Sequence, residues 1–143
     1  MDIENAIKTM DLFIYCGHGS GNEYFDYHNL VEKNIHCRAT MFLMGCCSGE
    51  LIDDGEIDPK GVPYYCNIAG SGSVLANLWN VTDKDIDRFL KQLLENMRQS
   101  EFCSLEEAVM AARSACKLRY LTGAAPVIYG FPTVIHVPEE VCQ

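Results

Sequence analysis

The sequence predicts an α/β fold on a mostly parallel sheet. Three observations predict it: short runs apolar on both faces, Gly-rich stops directly after two of them, and helical periodicity after a third. Residues 11–16 form the first strand candidate, stopped by Gly17-His18-Gly19-Ser20-Gly21. Residues 39–44 form the second, stopped by Gly45-Cys46-Cys47-Ser48-Gly49, and residues 26–37 are long enough to cross between them. A third run, residues 73–79, ends on Leu78-Trp79. Thr82 and Asp85 then have capping-box spacing, with Asp in place of Glu, and Ile86, Phe89, Leu90, Leu93, Leu94 and Met97 make one helical face. Ser104 with Glu107 opens a second helix with a stripe of Ala108, Val109, Ala112, Ala115 and Cys116. Residues 126–137 are strand-like but broken by Gly130 and Pro132, which suits an edge or bent strand. Sheets of this kind place their sites beyond the carboxyl ends of the strands, where both Gly-rich stops fall.

The chain has 143 residues, 48% of them apolar, with no repeat or linker, so residues 1–143 read as one domain able to bury a core. Twenty acidic against 11 basic side chains give a net charge of −9. That argues against a nucleic-acid footprint and makes basic peptides the natural partners. The start, Met1-Asp2-Ile3-Glu4-Asn5, carries acid where a signal peptide carries positive charge, and the longest apolar run is too short to span a bilayer. A soluble, non-secreted protein is expected. In a reducing compartment the 8 cysteines are expected to be free thiols, mostly buried. No C-x-x-C occurs, so a zinc site drawn from Cys16, His18, His36 and Cys37 is disfavoured, and no metal or other cofactor is expected.

Neighbouring strands lie about 4.8 Å apart, so His18 and a cysteine of the second stop can meet beyond the sheet. A thiol beside an imidazole ionises near neutrality and attacks a carbonyl, and the imidazole later protonates the leaving amine. The Gly19 and Cys46 N–H groups are the candidate oxyanion donors. Taken singly, Gly-His-Gly reads as a tight turn and Cys46-Cys47 as packing; together at consecutive strand ends they favour chemistry. Phosphate binding by Gly17–Gly21 is disfavoured, because no Lys follows and the surroundings are acidic.

Four blocks in order resemble the protease domain of separase: Tyr15-Cys16-Gly17-His18-Gly19-Ser20-Gly21, Phe42-Leu43-Met44-Gly45-Cys46-Cys47-Ser48-Gly49, residues 77–88 from Asn77-Leu78-Trp79, and residues 118–132 ending Tyr129-Gly130-Phe131-Pro132. The resemblance implies a caspase-like three-layer α/β/α fold and a cysteine endopeptidase that cuts the kleisin subunit of cohesin after Arg, releasing sister chromatids at anaphase, with securin as inhibitor. It carries the catalytic His onto His18 and the nucleophile onto Cys46. The family pattern has Gly-Cys-Ser-Ser, so Cys47 stands where a Ser is usual. A caspase-style Cys-x-Gly reading selects Cys47 instead, but the longer block favours Cys46. If the segment is extended, successive side chains point oppositely and Cys47 is buried packing. A caspase-like sheet also has strands before the His-bearing one, which the residues before Asp11 do not supply; either a fragment of a longer domain is implied, or the remainder lies on another polypeptide.

An Arg side chain at the cleavage site needs a carboxylate. Asp83 is the choice, nearest the strand end, while Asp85 is assigned to capping and Asp87 to a solvated face. An N-terminal helix charge is the alternative role for Asp83. Trp79, the only Trp, is expected chiefly in the core, with a wall of the peptide groove as the alternative. Glu50, Asp53, Asp54, Glu56 and Asp58 read as a solvated acidic loop that could attract basic residues near the scissile bond. His28, His36 and His136 read as structural or surface residues. The expected location is cytoplasm and nucleus. Two other readings stay open: a caspase-like protease of another, bacterial type, and an inactive assembly piece that keeps the fold.

Overall fold

A computed structural model describes residues 3–23, 26–53, 55, 58–99 and 102–136. The elements run α1 (Ile3–Thr9), β1 (Leu12–Tyr15), α2 (His28–Glu32), β2 (Thr40–Leu43), α3 (Val62–Ile68), β3 (Ser73–Asn77), α4 (Asp83–Gln99), β4 (Phe102–Ser104), α5 (Leu105–Ala112), a 3-10 turn over Arg113–Ala115, β5 (Pro126–Gly130) and β6 (Val134–His136). They group into two compact units, one of Met1–Asn80 with Val127–Phe131, the other of Val81–Pro126 with Pro132–Gln143.

The first unit carries a four-stranded sheet in the order β1-β2-β3-β5. β1 and β2 are parallel, with Leu12 opposite Thr40 and Tyr15 opposite Leu43, and β2 and β3 are parallel, with Leu43 opposite Ala76. The end of β5 meets the start of β3, where Phe131 N–H donates to Gly72 O at 2.8 Å, so the sheet is mixed. Strand periodicity places Met41, Leu43, Val74 and Ala76 on one face. There they join Ile7 of α1, Leu30 of α2 and Cys66 of α3 in one buried cluster. Phe42 and Leu75, on the other face, are fully buried too. Both faces are therefore covered, which is why the strands read as continuous apolar runs.

The second unit is built on α4 and α5, with β4 and β6 paired antiparallel. Ile86, Phe89, Leu93 and Met97 of α4 are buried, while Leu94 is 37% exposed, so the apolar stripe is narrower than its sequence pattern. The expected capping boxes are replaced. The Thr82 backbone carbonyl, not its side chain, accepts the Asp85 and Ile86 N–H groups at 3.0 Å, and Ser104 Oγ donates to Glu106 Oε2 at 2.6 Å rather than pairing with Glu107. The bent strand expected over 126–137 is two strands in two sheets, parted at Phe131 and Pro132. α1, α3 and β4 are additions to the sequence reading; Pro63 at the second position of α3 is the start signal that would have revealed that helix.

Candidate active site

β1 and β2 end in register, Tyr15 beside Leu43, and His18 and Cys46 each follow three residues later. Met44 N–H donates to Tyr15 O at 2.8 Å, prolonging the pairing one step past the strands. The two turns then touch directly. A Cβ on Gly45 would overlap the Gly19 carbonyl and lie 3.1 Å from Gly17 O. Only glycine lets the backbone before Cys46 lie against the turn that carries His18.

The Cys-bearing turn is tied to the end of β3. Ser48 Oγ, fully buried, donates to Leu43 O at 2.6 Å and accepts Asn77 N–H at 3.0 Å. Asn77 Nδ2 donates to Gly45 O at 3.0 Å, and Gly49 N–H to Asn77 O at 2.8 Å. From β5, Tyr129 Oη donates to Gly49 O at 2.6 Å. Ser48 and Asn77 were not singled out from the sequence, because a hydroxyl and an amide become structural only when both are buried together. In the His-bearing turn, His18 is exposed, Tyr15 Oη donates to His18 O at 2.8 Å and Tyr27 Oη donates to Ser20 O at 3.1 Å.

Cys46 and Cys47 are both half-buried and both line one cavity of about 470 Å³. Gly19, Glu50, Lys60, His28 and Tyr65 line it as well. Cys47 is therefore not the core packing expected. The segment is a turn rather than an extended strand, with Cys47 at φ 53°, so the alternation that would hide its side chain does not apply. Cys47 N–H donates to Trp79 O and its Sγ to Asn80 Oδ1, each at 3.3 Å. Partial burial, with Glu50 and Cys46 close by, pushes the Cys47 thiol above its ordinary value. His28, read as structural or surface, is exposed and packs against Tyr65 with the rings tilted at 46° and their centroids 4.2 Å apart.

Trp79 is also not core: β3 stops at Asn77, the chain leaves the sheet, and the indole is 38% exposed. Asp83 opens α4 and is exposed. Asp85 is buried and accepts the Leu118 N–H at 3.0 Å, the Lys117 N–H at 3.1 Å and Arg88 Nη1 at 2.7 Å. These bonds hold its carboxyl below the usual carboxylate range, the Leu118 N–H foremost. Its work is to fasten the 117–118 backbone to α4, not to cap a helix. That stabilisation is present above the unfolded-state pKa and fades as pH falls through the lowered native one. Asp87 lies on a solvated face, as expected; Glu50, Asp53 and Asp58 are exposed, and Asp54 and Glu56 lie outside the described residues. Of the cysteines expected in the core, Cys37, Cys66 and Cys116 are buried, whereas Cys16 is exposed.

The architecture and this site define a class first: an α/β protein with His and Cys turns in contact at the carboxyl end of paired parallel strands. The family model described as "Separin, protease domain" matches residues 1–86. Separin of Emericella nidulans is 42% identical over 145 residues, covering 93% of this chain and 7% of that protein. Separin of Schizosaccharomyces pombe is 46% identical over 141 residues, 94% of this chain and 8% of that protein, and separin of Mus musculus is 36% identical over 137 residues, 95% and 6%. A crystal structure of the Saccharomyces cerevisiae separase–securin complex superposes with a TM-score of 0.80 at 39% identity, over 91% of this chain and 9% of that one. The chain belongs to the separin protease-domain family, and its fold is the caspase-like α/β fold expected from the sequence. It spans less than a tenth of the length of these relatives.

Proposed function

We propose that this chain carries the catalytic centre of a separase-type cysteine endopeptidase, with His18 as general base and acid and Cys46 as nucleophile. The observation that carries the reading is the in-register pairing of β1 with β2, with Gly45 seated on the backbone of the His-bearing turn. His18 takes the thiol proton, and the Cys46 thiolate attacks the scissile carbonyl. The Gly19 and Cys46 N–H groups receive the oxyanion, the imidazolium protonates the departing amine, and water hydrolyses the thioester. Asp83 pairs with a P1 Arg. Supporting it over its neighbours, the Asp85 carboxylate is engaged by Leu118, Lys117 and Arg88, whereas Asp83 is exposed. The exposed Trp79 forms a wall of the peptide groove.

The substrate we propose is the kleisin subunit of cohesin, with securin as the inhibitory partner, acting in cytoplasm and nucleus. The securin-bound form of the yeast relative supports the partner. In the full-length protein, a peptide electrophile ending in Arg is expected to label one cysteine. Cys46→Ala should abolish the label and Cys47→Ala should keep it; the reverse pattern moves the nucleophile to Cys47. Asp83→Ala should lower kcat/KM after Arg roughly 10²-fold with little change after neutral residues. An unchanged value for Arg removes Asp83 from the pocket.

A further inference from the structure

We propose that Cys47 is a resolving thiol for Cys46: when a hydroperoxide oxidises the nucleophile, Cys47 captures the product as a vicinal disulfide that thiols reopen. The inference rests on the reading of Cys46 as the reactive nucleophile and adds a modification site to it. Its geometric basis is the turn. In extended backbone, adjacent side chains diverge, but here the chain turns at Cys47, φ 53°, and both cysteines line the same cavity. Glu50 and Lys60 also line that cavity, and both cysteines are only half-buried.

The steps balance. The Cys46 thiolate attacks one peroxide oxygen; the O–O bond breaks, and a hydroxide, or alkoxide from an organic hydroperoxide, leaves, giving a sulfenic acid at Cys46. The Cys47 sulfur then attacks the Cys46 sulfur. The S–S bond forms, the S–O bond breaks, and the Cys47 proton leaves with the hydroxyl as water. Two thiols have lost two electrons, and the peroxide has gained them. Partial burial, with Glu50 and Cys46 beside it, disfavours the Cys47 thiolate, so Cys47 is a poor target for the peroxide itself. The product is made to be reopened. Adjacent Cα atoms across a trans peptide are about 3.8 Å apart, below the roughly 4.4 Å minimum of relaxed disulfides, and strained disulfides are the reducible ones. A Ser at this position, as in the family pattern, would leave the sulfenic acid to climb to irreversible sulfinic and sulfonic acids.

The full-length protein tests this with hydrogen peroxide in stepwise excess, alkylation and tryptic digestion. Cleavage after Arg38 and Lys60 releases residues 39–60, whose only cysteines are Cys46 and Cys47. The expected product is this peptide unalkylated and two hydrogens lighter, regaining two alkylation sites after dithiothreitol. Activity, normalised to each protein before oxidation, should return with dithiothreitol in the parent and be lost in Cys47→Ser, whose peptide should carry sulfinic or sulfonic Cys46. Cys47→Asn, which favours the left-handed backbone, should behave as Cys47→Ser and guards against a folding defect in the first variant. Labelling by the Arg-ended electrophile before peroxide separates the two readings. Label at Cys46 with no lighter peptide, or equal recovery in parent and variants, overturns the resolving role alone. Label at Cys47 overturns the nucleophile assignment beneath it.

Discussion

The two Gly-rich turns beyond the sheet look alike in sequence and are built on different physics. In the His-bearing turn, glycine supplies conformation: Gly19 sits at φ 61°, with nothing within 4 Å of where a Cβ would stand. In the Cys-bearing turn, glycine supplies proximity. Gly45 lies on the backbone of the other turn, and the left-handed position there falls on Cys47, a residue that pays a steric cost for it. The anchoring differs in the same direction. Residues 45–49 are bonded to β2, β3 and Tyr129, whereas in the exposed His18 turn tyrosine hydroxyls bond the backbone carbonyls of His18 and Ser20. The lesson is that the nucleophile is fixed to the scaffold, while the base rides on a turn positioned by contact with it.

Gly45→Ala attacks that contact and should have the largest effect. Its new methyl group meets backbone, which cannot rotate away, so the turns must part by on the order of an ångström, and turnover should fall about 10²-fold. Single-turnover kinetics on an Arg substrate would measure it; a loss under threefold would mean that the contact does not position His18. Ser48→Ala strips the anchoring of the Cys turn, leaving the Leu43 carbonyl and Asn77 N–H short of their buried partner. About 1–3 kcal/mol of stability should go, read as a lower urea midpoint at constant slope. Gly19→Ala should be the mildest, about 1–2 kcal/mol from backbone strain alone, and Gly19→Asn should recover much of it. If alanine cost as much at 19 as at 45, the distinction between conformational and contact glycines would collapse.

Much of the site was legible because its chemistry is local. His18 and Cys46 stand directly after apolar runs whose glycines mark strand ends, and those runs are strands within a residue or two of their expected bounds. The errors have a common cause. Trp79 reads chiefly as core from the sequence, yet the strand ends before it and its groove-wall alternative needs the exposure it has. Asp85 was read as a cap because it has the spacing, yet its partners lie more than thirty positions away at Lys117 and Leu118. Cys47 was read as packing on the premise of an extended segment, and the premise failed at one φ angle. Spacing reports short-range geometry; each of these outcomes depended on a distant partner or on the local path of a turn.

Alone, then, the sequence determined the parallel strands, the order of the chemical groups and the acidic character of the chain. Hydrophobic runs and glycines act over a few residues, and charge is a matter of composition. Tertiary structure decided how the groups are held. It set Gly45 against Gly19, buried Ser48 and Asn77 as mutual partners, and turned both Cys46 and Cys47 toward one cavity. Those outcomes follow from strand register and from the satisfaction of buried polar groups, which exist only once distant segments have come together.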